Sequence, residues 1–169
     1  KKSDRVSTFV KDIKINYDQN WTDKILRTLK MNYSKSPLFK KNIKIIEEIF
    51  DEKFEFMMDL NLKFIKYFFN ILNIKTKIIK SSELKITSNG SDKILDICKE
   101  LSCDEYITGD GSKNYLNSDK FLTENILTNY SMKFNKIYDQ VNGKFIENLS
   151  IIDYFLNCYN KNKKNNILK

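Results

Sequence analysis

A short apolar run that breaks into two closely spaced glycines and a lysine is the first place where this chain could do chemistry. In Tyr106-Ile107-Thr108-Gly109-Asp110-Gly111-Ser112-Lys113-Asn114-Tyr115-Leu116 the opening residues read as a strand. Gly109 and Gly111, two of only four glycines, read as a turn, and a new helical start follows. Turns at the carboxyl ends of strands in open α/β sheets present backbone N–H groups to ligands. With the Lys113 ammonium beside them, such amides would cradle a phosphate or a carboxylate. The competing reading is a tight turn that needs positive φ at glycine. The spacing fits neither a Walker loop nor a dinucleotide fingerprint.

The chain contains no histidine, which removes the commonest general base and the ordinary Ser-His-Asp and Cys-His arrangements. Chemistry is left to carboxylates, lysines, tyrosines, a bound metal or a cofactor, and no motif says which cofactor that would be. Cys98, Cys103 and Cys158 form no Cys-x-x-Cys pair. A zinc site would therefore need three thiolates and a carboxylate. Asp104 and Asp110 are two carboxylates without further ligands, so no metal site is assigned. Buried thiols in a reducing cytosol account for the cysteines.

These residues need a scaffold. Residues 8–15 alternate enough after Phe9 to read as an edge strand, and 16–20 form a polar turn. A helix starts at Trp21-Thr22-Asp23 and runs to about Asn32 on Ile25, Leu26 and Leu29. Ser36-Pro37 has the pattern of an N-cap followed by a first helical position. The helix it opens runs to about Phe50 with Leu38, Ile43, Ile46 and Ile49 inward. Phe54 to Ile74 is the most apolar helix, with one narrow polar stripe, and reads as core rather than as a membrane span because charges are spread through it.

Lys75 to Lys80 reads as a strand with Ser81 and Ser82 at its end. Ser91 or Asp92 caps a helix to Leu101, with Ile94, Leu95, Ile97 and Cys98 inward. The 105–108 strand follows, then a short helix capped by Ser118 or Asp119, a strand from Ile126 to Phe134 and a loop over 138–144. Ser150 caps a last helix, Ile151 to Tyr159, with Asp153 placed as in a capping box. Residues 161–169 are a low-complexity Lys/Asn tail expected to fray. Alternating strands and helices point to an α/β fold. It should be three-layered, with a mostly parallel sheet of three to four strands flanked by helices. The predicted organisation is one domain over 1–160 plus the tail.

The net charge of +8 invites a nucleic-acid reading, but residues 1–5 and 161–169 carry +6 of it. Only Arg5 and Arg27 are arginines, so the bidentate base-reading residue is almost absent and no specific nucleic-acid partner is expected. No membrane span and no signal peptide are read, and a cytoplasmic location is expected.

The succession Trp21-x-x-Lys24, Tyr33-x-x-x-Pro37-x-Phe39, Ser81-Ser82-Glu83-Leu84, Ile97-Cys98-Lys99, Tyr106-Ile107-Thr108-Gly109, Lys113-x-Tyr115-Leu116, Tyr138-x-Gln140 and Leu149-Ser150-Ile151-Ile152-Asp153 resembles the WbqC-like family in order and spacing over most of residues 9–159. The resemblance implies a bacterial protein of surface-polysaccharide and O-antigen biosynthesis. Members usually begin with a Pro- and aromatic-rich segment, so this chain is expected to be the C-terminal two-thirds of such a protein. Two positions depart from the family: Ile25 where relatives commonly have histidine, and Tyr159 where glycine is usual.

On that resemblance the expected ligand is a nucleotide-activated or phosphorylated amino sugar, and the expected reaction is group transfer, of acyl or aminoacyl type. Lys113 and the Gly109 and Gly111 amides would bind the anion. Tyr106, Tyr115, Tyr138 and Gln140 would shape the pocket, Ser81 and Ser82 would face the glycine loop, and Glu83 or Asp110 would act as acid or base. Lys24 and Tyr33 share a helix face only loosely; Lys24 could contact an anion, but in so lysine-rich a chain a solvated charge is the better reading. The alternative is a non-catalytic binding or scaffold protein that keeps the fold and the pocket. Oligomeric state is left open.

Overall fold

A computed structural model describes residues 9–130, 137–141 and 143–159. The chain forms two compact units, one of residues 1–75 with 135–169 and one of residues 76–134.

The first unit is helical. Its helices are α1 (Trp21–Tyr33), α2 (Phe39–Asp51), α3 (Met57–Ile71) and the short α6 (Ile151–Asn157). The core is where α2 presents Ile43, Ile46, Ile49 and Phe50 at helical spacing to Leu60 and Phe68 of α3 and to Phe155 and Leu156 of α6. Edge-on ring contacts run through it: Trp21 meets Phe50 and Phe68 meets Phe155, both at 5.5 Å between centroids. This geometry suits the ring quadrupoles.

The expected 8–15 strand is replaced by a 3₁₀ turn, Val10–Asp12, and an extended piece. That piece pairs with the α2–α3 link through one antiparallel bridge, Lys14 to Phe56. Residue 8 lies outside the described residues. The Ser36-Pro37 start is displaced, with Leu38 at the N-cap of α2. The Ser36 hydroxyl accepts from Leu38 N–H at 3.4 Å and donates to the Leu156 carbonyl at 2.6 Å. The long helix is shorter than 54–74 and less enclosed: only Leu60 and Phe68 are buried. Asn73 stops it in the left-handed region at φ 56°, with Ile74 N–H returning to Phe69 C=O.

The second unit holds α4 (Gly90–Glu100), β1 (Glu105–Thr108), α5 (Ser118–Thr123) and β2 (Leu127–Tyr130). The strands are parallel, with Glu105 opposite Leu127 and Thr108 opposite Tyr130. The 109–126 crossover returns the chain to pair with β1. Leu95, Cys98, Leu116, Phe121 and Ile126 form the core, and Tyr106 stacks on Phe121 at 5.7 Å.

The α/β class and the parallel pairing hold, in a helix-rich chain whose described sheet has two strands rather than three or four. Residues 131–134 of the expected last strand, and the 161–169 tail, lie outside the described residues. The 75–80 stretch joins no ladder among the described residues. Its apolar residues, Ile78 and Ile79, are adjacent rather than alternating and both are exposed. One sheet face therefore could not bury them together.

Candidate functional site

The glycine turn is built from short-range bonds. Asp110–Asn114 form a 3₁₀ helix after Gly109, which has φ −86°. Positive φ occurs at Gly90 and Gly143, not at Gly109 or Gly111. A Cβ added at either turn glycine would meet nothing within 4 Å. The left-handed-turn explanation for these glycines is therefore wrong. Ser112 is the buried member, and its hydroxyl donates to Gly109 C=O at 2.8 Å.

Lys113 pairs with Asp110 at 2.9 Å and lies 4.9 Å from the centre of the Tyr130 ring. The Asp110 carboxylate raises the Lys113 pKa. Glu83, the other candidate acid, pairs with Lys80 at 2.6 Å, which holds its carboxyl below the usual range. Ser81, Ser82 and Glu83 form one exposed 3₁₀ turn. Among the described residues β1 pairs with β2 and 75–80 forms no strand, so the pairing on which Ser81 and Ser82 facing the glycine loop depended is not seen. Tyr106 serves the core, and Tyr115 is 59% exposed.

In the first unit the predicted residues converge. Asp153, on the first turn of α6, is only 4% exposed. Its Oδ2 accepts from Tyr138 Oη at 2.6 Å and from Gln140 Nε2 at 3.0 Å, and its Oδ1 accepts from Asn157 Nδ2 at 3.1 Å. Ser150 does cap α6, accepting from Ile152 N–H. Asp153, however, gives Oδ2 to Tyr138 and Gln140 of the loop and Oδ1 to Asn157 of its own helix rather than closing a capping box. Gln140 also closes that loop on itself, exchanging bonds with Ile146 N–H at 2.7 Å and Ile146 C=O at 3.0 Å. Asn157 Oδ1 accepts from Val141 N–H.

Helix α6 is held from behind. Asn42 Nδ2 donates to Phe155 C=O at 2.6 Å and to Tyr159 C=O at 2.9 Å, and Ser36 donates to Leu156 C=O. These buried side chains satisfy carbonyls at the end of a helix too short to be stable alone. Asp153 thereby gains a fixed position.

Beside it opens a cavity of about 310 Å³. Helix α1 contributes Thr28, Leu29, Asn32 and Tyr33. The loop contributes Gln140, Val141, Lys144, Ile146 and Leu149, and α6 contributes Asp153. Burial, then hydrogen bonding to Asp153, pushes the Tyr33 phenol up to about 12. The same two causes bring Tyr138 to about 12. Both phenols are thus neutral donors at ordinary pH. Lys24 is exposed on α1 and is not among the lining residues.

Sequence reasoning singled out Tyr33, Tyr138 and Gln140 but gave Asp153 only a capping role and passed over Thr28, Asn32 and Lys144. A signal for Asp153 was present. It lies inside the run Ile151-Ile152-Asp153-Tyr154-Phe155-Leu156, an acid where helical periodicity demands burial.

Among the described residues no helix is long and apolar enough to cross a membrane, and no cluster of three or more His, Cys, Asp or Glu could hold a metal ion. No curated protein and no solved structure matches the chain. The model of the WbqC-like protein family matches residues 1–165. With nearly its whole length covered by that match, the chain belongs to the WbqC-like protein family.

Proposed function

We propose that this protein acts in the cytoplasm, in the biosynthesis of bacterial surface polysaccharide such as O-antigen, by binding a nucleotide-activated or phosphorylated amino sugar. The sugar occupies the first-unit cavity, and the reaction served is transfer of an acyl or aminoacyl group to it. One observation carries this reading. A buried carboxylate locks Tyr138 and Gln140, two family-matched residues, against a cavity of about 310 Å³ lined by hydroxyl, amide and ammonium groups. That volume displaces about ten waters at roughly 30 Å³ each, the scale of one sugar ring rather than a whole nucleotide sugar. Three free cysteines support a reducing compartment.

A thermal-shift screen of the full chain against nucleotide-linked and 1-phosphorylated amino sugars tests the reading. Ligand at a hundredfold excess over Kd adds about 2.7 kcal/mol of stability. If no member of the series raises Tm, the sugar reading is to be dropped.

A second reading, binding without catalysis, has its own support. Glu83 and Asp110 are both ion-paired to lysines with more than half of each side chain exposed. A carboxylate held charged by a neighbouring lysine is a poor proton acceptor near pH 7. Stabilisation by sugars without turnover of any acyl donor would select it.

A further inference from the structure

We propose that the first-unit cavity selects a small zwitterion, a free amine that also carries an anionic group, with its ammonium at Tyr33 and Asp153 and its anion at Lys144. The inference rests on the reading above in taking that amine to be an unacetylated amino sugar's.

The argument starts from the charge on the wall. Asp153 is 96% buried, and its described partners, Tyr138, Gln140 and Asn157, are neutral donors. None of the ion pairs among the described residues includes Asp153 or Lys144. A carboxylate with three donors has the hydrogen-bond pattern of its ionised form, and an unpaired buried charge projects its field into the nearest open space. Here that space is the cavity that Asp153 itself lines.

Tyr33 stands on the same wall. Tyr33 and Asp153 both line the cavity, so the phenol oxygen can accept from a ligand N–H on the side where the carboxylate's charge favours it. Lys144 lines the same cavity with the opposite sign. A simple anion would be drawn to Lys144 and repelled by Asp153, and a simple cation would meet the reverse. A molecule carrying both charges satisfies both.

Titration calorimetry of the full chain with glucosamine 1-phosphate and N-acetylglucosamine 1-phosphate tests this directly. Charged hydrogen bonds are worth enough for about a tenfold preference for the free amine. Tyr33→Phe should erase most of that preference. Lys144→Met should weaken glucosamine 1-phosphate by about tenfold while leaving plain glucosamine unchanged. Alanine, a zwitterion without a sugar, separates the two sources. If alanine binds through Tyr33 and Lys144 and neither sugar phosphate binds, the zwitterion site stands and the polysaccharide reading falls. Equal binding of the acetylated and free sugars overturns the zwitterion site and leaves the sugar reading intact. Binding of none of these probes overturns the zwitterion site.

Discussion

Asp153, hydrogen-bonded to Tyr138, and Asp110, ion-paired to Lys113, lie in different units and in different circumstances. Asp153 is 4% exposed and is bonded at 2.6–3.1 Å to side chains brought from up to 15 residues away. Asp110 pairs with Lys113, three residues along its own turn, with both side chains more than half in solvent. In the glycine turn a local motif makes local pairs that water can replace. At Asp153 the neighbours come from three segments, and water is largely excluded. Groups become poised where the fold removes their solvent, because only there does each unpaired charge or donor carry a large cost.

The largest predicted effect tests this contrast. Asp153→Ala strands the Tyr138, Gln140 and Asn157 donors and should lower stability by about 3 kcal/mol, read as a drop in urea midpoint. Asp110→Ala should leave that midpoint unchanged. Equal effects from the two aspartates would break the comparison. Asn42→Ala comes next. It leaves the Phe155 carbonyl of α6 and the Tyr159 carbonyl just beyond the helix unsatisfied and should cost about 1–3 kcal/mol. Its second-unit counterpart is Asn117→Ala, which removes the exposed N-cap of α5 and should cost about 0.5–1 kcal/mol.

The pH dependence sharpens the same point. Tyr33 and Tyr138 titrate from 10 in the unfolded chain to about 12 in the fold, so the folded state holds more protons between those values. Their contribution is fully present below pH 10 and is lost as pH rises through about 12. Tyr33→Phe/Tyr138→Phe should flatten this alkaline fall in denaturation midpoint, and an unchanged slope would count against the burial of both phenols. The smallest effect is expected at the turn. Gly109→Ala and Gly111→Ala have ordinary φ and open space, so they should be neutral or stabilising by up to about 1 kcal/mol. If either weakens anion binding while sparing the urea midpoint, the turn regains its standing as a ligand loop.

Much of this was legible beforehand, and for identifiable reasons. Strand Glu105–Thr108 has the bounds its sequence predicts, and α1, α4 and α5 nearly so, because periodicity is a local signal, although the N-caps of α4 and α5 are Asn89 and Asn117 rather than the Ser or Asp residues expected. Tyr33, Tyr138 and Gln140 were flagged by their order relative to a family pattern. Asp153 was misassigned because a serine three residues earlier has an adequate local explanation for it. Ser36 reads locally as a cap, and its hydroxyl does accept from Leu38 N–H, but its shorter bond goes to Leu156, 120 residues on.

Composition, periodicity and motif order alone carried the α/β class, the absence of any histidine chemistry in this chain, and the family. Those properties depend on neighbours within a few turns of chain, or on residue types that no fold can alter. Only the tertiary structure decided which polar residues matter to one another. It left the glycine turn in solvent with its charges paired and put Asp153 in the dark beside a cavity. Burial and long-range pairing set the electrostatic value of a side chain, and neither is written in its immediate sequence.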